Sequence, residues 1–278
     1  MQKWLCPLCQ ETNPGNIKFF WDSYQKLLKC RRCNFIFRAR FKDFYEIPDY
    51  SAYEEPSGNH LQGYLNSFSK KKNYYNYIIE KILEIKRTKK LKILEIGSSE
   101  GTFLKLLKDR GMSNLIGVEP QKHLIELAKK LNNLYDIELI SDYYSTNLFS
   151  QKSFDVIFHY HVIEHVEYPK NFFYDNYHHL KNGGIMAFQL PTAFTHSFIL
   201  DYLLKNSKKS RMIIPEHFNY FNIKSLNYIL NEIGFKILLM ETGNHFYKRQ
   251  KNKKFWKYFI DPIFNFLKFG DLLVFAKK

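Results

Sequence analysis

The sequence predicts a doubly wound α/β domain with a mostly parallel sheet, preceded by a small metal-binding ribbon. Three observations carry this. From residue 91 onward, short apolar runs alternate with amphipathic stretches. The buried run Ile93-Leu94-Glu95-Ile96 breaks into the turn Gly97-Ser98-Ser99-Glu100-Gly101, and all four cysteines stand before Asn34 as two Cys-x-x-Cys pairs. Alternation of this kind lays parallel strands side by side through helical crossovers. The chain has 278 residues, 45% hydrophobic and 18% aromatic. That is enough core for one large domain with an attachment, and it excludes disorder.

The ribbon comes first, over residues 1–45. Cys6-Pro7-Leu8-Cys9 and Cys30-Arg31-Arg32-Cys33 are knuckles whose two-residue spacing aims both sulfurs of each pair at one ion. Four thiolates close a tetrahedral shell with no position for water, so the expected zinc ion is structural. Disulfides suit an oxidising compartment, and a redox pair needs only one Cys-x-x-Cys before a helix. Arg31, Arg32, Arg38, Arg40 and Lys42 interleave with Phe35, Phe37 and Phe41. They form either a grip for an acidic ligand or the solvated edge of a strand.

Residues 46–90 follow as a connector and a lid helix. The stretch 46–66 has prolines, glycines and no clean period. Tyr74, Tyr77, Ile78, Lys81, Ile82 and Ile85 then recur at helical spacing and predict a helix over 69–87. The main domain, 91–278, reads as strands at 91–96, 114–118, 137–140, 154–158 and 184–190, with helices between them. An aromatic and basic insertion occupies 244–270. Its Phe255-Trp256 stretch, beside Lys251, Lys253 and Lys254, suits packing on the sheet, a dimer contact or an anionic membrane face. No apolar run approaches the ~18 residues of a membrane span, and the N-terminus lacks a signal-peptide core, so a cytoplasmic location is expected.

Lys and Arg number 42 against 27 Asp and Glu, a net +15. This balance suits an acidic partner such as nucleic acid, membrane or a phosphorylated small molecule, or it reflects an AT-rich coding sequence. The glycine turn says more. Glycine is needed where backbone approaches a ligand, and Glu119, closing the next strand, stands where a carboxylate accepts both ribose hydroxyls of an adenosine. Ser99 replaces the glycine that would face a pyrophosphate, and Glu95 is unsuited to phosphate. An adenosine ligand without a pyrophosphate fits.

With these residues in view, the sequence resembles the class I S-adenosylmethionine-dependent methyltransferases, of the bacterial small-molecule and sugar type with an N-terminal four-cysteine zinc ribbon. Glu95, Gly97 and Gly101 match the first motif, with Ser99 in its middle position. Gly117-Val118-Glu119-Pro120 resembles the ribose-binding strand end, and Asp142 falls where the family places a carboxylate on the adenine amino group. Phe154 to Val166 is similar to the fourth-strand motif, which puts His159 beside the cofactor. The resemblance implies a Rossmann-like seven-stranded sheet, whose last strand, at 271–277, is antiparallel. It also implies S-adenosyl-L-methionine as cofactor.

Two places offer catalytic side chains. His161, Glu164 and His165 follow the fourth strand, where open α/β sheets bind ligands. They serve the acceptor, or they cap a helix and pack under the cofactor. In some related O-methyltransferases the matching segment holds a divalent metal, with a carboxylate where His161 stands. The second place is Pro215-Glu216-His217-Phe218-Asn219-Tyr220-Phe221, which resembles the acceptor segment of sugar methyltransferases. There His217 would take the acceptor proton and Glu216 would orient it, unless His217 only binds backbone at a helix entry. The expected function is O-methylation of a sugar or sugar nucleotide in surface-polysaccharide biosynthesis. The rivals are an RNA methyltransferase gripping nucleic acid through its zinc module, a non-catalytic scaffold, and a nicotinamide dehydrogenase.

Overall fold

The computed structural model describes residues 4–21, 27–39, 58–192, 217–242 and 271–278. Glu216 and the insertion at 244–270 lie outside the described residues. The chain divides into two compact units. One comprises Met1–Glu46, His161–Tyr177 and Phe188–Lys278, the other Ile47–Tyr160 and His178–Ala187.

The second unit is built on three parallel pairings. Strands β4 (Ile93–Ile96), β5 (Leu115–Val118), β6 (Glu138–Ile140) and β7 (Phe154–Tyr160) pair β4 with β5, β4 with β7 and β5 with β6. Every residue of β4 and β5 is buried, as strands covered on both faces require. Helices α1 (Gly58–Lys86), α2 (Thr102–Lys108) and α3 (Lys122–Asn132) supply the crossovers and cover. With β8 (Leu180–Pro191), β10 (Lys236–Thr242) and β11 (Asp271–Lys277), the full sheet runs β10-β11-β8-β7-β4-β5-β6. Strands β10 and β11 are antiparallel. The predicted doubly wound, seven-stranded, mostly parallel sheet with an antiparallel last strand is therefore what the chain forms.

Helix α1 departs from the expectation at both its start and its phase. It begins at Gly58, so residues 58–66 are helical rather than connector. Its buried stripe is Tyr74, Tyr75, Ile78, Ile79 and Ile82. Tyr75 meets Phe103, Phe158 and Tyr160 edge-on at centroid distances of 5.5, 5.9 and 5.5 Å. Tyr77 and Lys81 stay at the rim, with the Lys81 ammonium 5.5 Å from the Tyr77 ring. Long amphipathic side chains can cover apolar surface without entering the core.

The first unit holds the ribbon. Strands β1 (Ile17–Trp21), β2 (Leu27–Cys30) and β3 (Ile36–Arg38) form an antiparallel sheet, to which β9 (Asn219–Tyr220) adds a fourth strand. Helix α4 spans Pro169–His179 and helix α5 spans Ile223–Ile233. The cap of α5 is Asn222, whose Oδ1 accepts the Ser225 N–H at 3.0 Å while Ser225 Oγ accepts the Asn222 N–H at 3.0 Å. Among the described residues no helix is long and apolar enough to cross a membrane.

Candidate active site and metal centre

Strand β4 delivers its chain into a turn held in the left-handed region at alternate residues. The φ values are 70° at Gly97, 49° at Ser99 and 74° at Gly101. This explains the spacing of the motif. Glycine takes such φ freely, while Ser99 carries the cost of an L side chain there. The amides of Gly97 and Ser98 donate to Val118 O at 2.8 and 3.1 Å, which ties the turn to β5. At Gly101 a Cβ would stand 2.4 Å from Leu134 Cδ1 and 3.1 Å from Ala128 Cβ. Gly101→Ala is therefore expected to destabilise the fold by about 2–4 kcal/mol, combining left-handed strain with overpacking. A urea midpoint equal to that of the parent chain would refute this.

Glu119 closes β5 and fastens the turn. Its Oε2 accepts the Ser99 N–H and its Oε1 the Gln121 N–H, each at 3.0 Å. Each oxygen keeps lone-pair capacity for a further donor, as two ribose hydroxyls need. Three carboxylates gather here, with Glu95, Glu119 and Glu100 at 3%, 6% and 8% exposure. Burial, and then the nearby Glu100, pushes the Glu95 carboxyl well above its ordinary value. Burial also raises Glu119. Glu100 goes the other way: burial pushes it up, but Lys71 at 3.6 Å and the Ser99 and Thr102 hydroxyls outweigh that.

Glu95 Oε2 and Ser98 Oγ are buried and have no hydrogen-bond partner within the protein. Such groups are costly unless a ligand satisfies them. Buried carboxylates and an unsatisfied acceptor beside a glycine-bearing turn suit a cationic adenosyl ligand with an α-ammonium group. Asp142 is exposed just beyond β6, its Oδ1 accepting the Tyr143 N–H at 2.7 Å. The register of β7 sets the face of His159. In the β4–β7 register Glu95 lies opposite Phe158, and His159 lies opposite Ile96, so His159 sits on the other face of the sheet from Glu95. It is wholly buried, which drives its pKa down to about 3 and keeps it neutral. Tyr160, two residues on from Phe158, returns to the Glu95 face, and the Lys71 ammonium lies 6.0 Å from its ring. Sequence reasoning missed Lys71 and Tyr160. Lys71 is one of three successive lysines at 70–72, and nothing in such a run marks the one that turns inward.

In the first unit a second cluster forms from segments far apart in sequence. Ligand atoms of Glu164, His165 and His217 all lie within 4.8 Å of one another. Glu164 sits in a single 3-10 turn, Ile163–His165, wholly buried, and neither carboxylate oxygen has a hydrogen-bond partner within the protein. His161 Nδ1 stands 3.4 Å from Glu164 Oε1, and His161 Nε2 stands 3.6 Å from Asp271 Oδ2. Burial pushes the Glu164 carboxyl up to about 7, against the lowering by His161. Burial, followed by the charges of His165 and His161, takes His217 down to about 3. The His165 and His217 rings meet nearly perpendicular, 4.7 Å apart. His217 is not the cap of α5, a role Asn222 fills. The carboxylate beside His217 among the described residues is Glu164. Two imidazoles and a carboxylate can relay a proton or ligate a divalent cation.

The four cysteines converge as their spacing predicts. Cys6 and Cys33 sulfurs are 3.7 Å apart, those of Cys9 and Cys30 3.6 Å, and all four are buried. These separations are far beyond a disulfide bond and near the ~3.8 Å edge of a tetrahedron with ~2.3 Å metal–sulfur bonds. Gln10 and Asn34, each directly after a knuckle, adopt matching left-handed φ values of 59° and 60°. The Cys9 thiol is held far below its ordinary value, chiefly by Cys33 and Cys6, while Cys33 is pushed up by its bonds to Cys6 and Cys9 and by burial. The donor set fits a soft tetrahedral cation.

A sheet ordered β10-β11-β8-β7-β4-β5-β6, with a glycine turn after the central β4 and a carboxylate closing β5, is the class I methyltransferase fold. The profile described as a methyltransferase domain matches residues 68–239, and the chain belongs to that family. It is an S-adenosylmethionine-dependent methyltransferase. Among solved structures, a chain of the complex between the Haloferax volcanii Trm112 methyltransferase activator and a methyltransferase has a TM-score of 0.52 and 11% identity. The match covers 76% of this chain and 93% of that one. An S-adenosylmethionine-dependent methyltransferase from Mesorhizobium loti gives 0.49 and 16%, over 68% and 91% of the two chains. One from Archaeoglobus fulgidus gives 0.45 and 19%, over 67% and 85%. No curated protein sequence matches the chain.

Proposed function

We propose that Glu95, Gly97, Ser99, Gly101, Glu119 and Asp142 hold S-adenosylmethionine, and that the methyl group passes to a hydroxyl of a small acceptor. We further infer that the acceptor is a sugar or sugar nucleotide of surface-polysaccharide assembly, and that Cys6, Cys9, Cys30 and Cys33 hold a structural zinc ion. The cofactor supplies a methyl group already activated by its sulfonium. What remains for the protein is alignment and removal of the acceptor proton.

The observation that carries the acceptor chemistry is the Glu164–His165–His217 cluster. His217 is neutral above about pH 3 and so has a lone pair for the acceptor proton. An imidazolium buried at that place needs a counter-charge, and the Glu164 carboxylate supplies it. His165 stacks edge-on against His217, and His161 holds Glu164 from the other side. A hydroxyl acceptor requires such a base. The sugar class is supported by the resemblance to bacterial enzymes of the same layout, and net charge +15 suits a nucleoside diphosphate handle.

The test begins with calorimetric binding of S-adenosylhomocysteine. Glu119→Ala is expected to weaken it about 100-fold, because two charge-assisted hydrogen bonds to the ribose are lost. Unchanged affinity would remove Glu119 from the cofactor site. Screening sugar nucleotides beside RNA with radiolabelled donor then decides the acceptor, and labelled RNA alone would overturn the sugar reading.

A further inference from the structure

We propose that the cysteine ribbon is a splint for the acceptor-side cluster, acting through Asn219 as a positioning residue. The proposal rests on the reading that Glu164, His165 and His217 serve the acceptor. It adds what holds them there.

The segment from His217 to Asn222 is bonded on two sides. Towards the ribbon, Phe37 pairs with Asn219 and Ile36 with Tyr220 in the antiparallel β3–β9 ladder. The Arg38 N–H donates to Phe218 O at 2.9 Å, Asn222 Nδ2 donates to Asn34 O at 2.7 Å, and the Phe35 and Phe221 rings lie 4.7 Å apart. Asn34 is the left-handed residue directly after Cys33, and the Cys30 N–H donates to Phe35 O at 2.8 Å. The knuckle therefore sets the start of β3, and β3 sets the register of β9.

On its other side the same segment grips the turn that carries Glu164 and His165. The Phe218 N–H donates to Glu164 O at 2.9 Å. Asn219 Nδ2 donates to Ile163 O at 2.9 Å and to Val166 O at 2.6 Å. Both protons of that amide are thus spent on carbonyls that bracket the turn, in a side chain only 1% exposed. A two-residue strand has little stability alone, so its position comes from the sheet it joins. Metal at the cysteines fixes β3, β3 fixes β9, and β9 places His217 beside Glu164 and His165.

The experiment is amide hydrogen exchange on the full chain with its metal, after metal removal by a chelator, and in Asn219→Asp with metal retained. The Asp variant sets carboxylate oxygens against the two carbonyls while leaving the cysteines alone. Exchange at 163–166 and 217–221 is expected to quicken about tenfold or more in both cases. Diethyl pyrocarbonate should modify His217 correspondingly faster, while exchange at 93–119 and affinity for S-adenosylhomocysteine hold within about twofold. Unchanged protection of 163–166 in Asn219→Asp would overturn the proposal, and that variant decides alone if chelation unfolds the whole chain. Failure of the parent chain to bind S-adenosylhomocysteine would count against the cofactor reading only, because the exchange pattern is read without ligand.

Discussion

Replacement of Cys30 by serine is expected to strip a zinc ion from the chain and to cost more than about 3 kcal/mol of stability. Structural zinc in zinc-finger peptides is worth about 10–16 kcal/mol of binding free energy, most of it consumed in ordering the fold. Among its described residues the ribbon has few other resources. Its strands span 17–21, 27–30 and 36–38, and its apolar centre comes down to Leu8, Leu28, Phe35, Ile36 and a few neighbours. Four buried thiols at 3.6–3.7 Å contacts are unfavourable neighbours once ionised, unless a dication sits among them. Metal analysis of the purified chain should give one zinc per chain, and Cys30→Ser should give none, with a lower melting temperature. Equal melting temperatures, or a metal-free parent protein, would sink the assignment.

Glu164→Gln should produce the opposite stability effect together with a loss of turnover. The Glu164 carboxyl titrates at about 7 in the folded chain, against its ordinary 4.5. Between those values the folded state holds a proton that the unfolded state has released, so stability falls as pH rises from 4.5 to 7 and then levels off. The shift corresponds to about 3 kcal/mol as an upper bound at pH 8. Glutamine removes that cost, less the unmet hydrogen bonds of a buried amide, leaving a gain of about 1–2 kcal/mol. The difference in melting temperature between variant and parent should therefore be small at pH 5 and widen to a plateau above pH 7. Methyl transfer in the parent should decline as pH drops through about 7, where the counter-charge for the His217 imidazolium disappears, and the variant should lack that limb. A melting difference independent of pH would contradict the buried carboxylate.

The proposed donor side is legible in the sequence because backbone demands write it there. Gly97 and Gly101 occupy left-handed positions that few other residues accept, and Glu119 is placed by the end of a four-residue strand. The proposed acceptor side is legible only in pieces. His161, Glu164, His165 and His217 can each be named from their surroundings, but their meeting depends on β9, a strand of two residues that no periodicity reveals. A place in a motif draws His159 towards the cofactor. The alternation of the strand, counted from Glu95 through its register partner Phe158, puts it on the other face from Glu95 and puts Tyr160 on the Glu95 face. Helix α1 reads short because Gly58 and Gly63 punctuate a polar stretch, yet its later turns bury Tyr75 and Ile79 deeply enough to carry the whole segment.

The position of β11 bears on how such a chain is made. It is synthesised after β10 but lies between β10 and β8 in the sheet. While residues 271–277 are still inside the ribosome, β10 has no other partner among the described strands and β8 presents an open edge. Buried residues such as Phe188, Leu190 and the Leu272–Ala276 row come together only when that last strand slides in. A nascent chain at that stage therefore carries an unpaired hydrophobic edge at β8, the kind of surface that recruits chaperones or seeds aggregation.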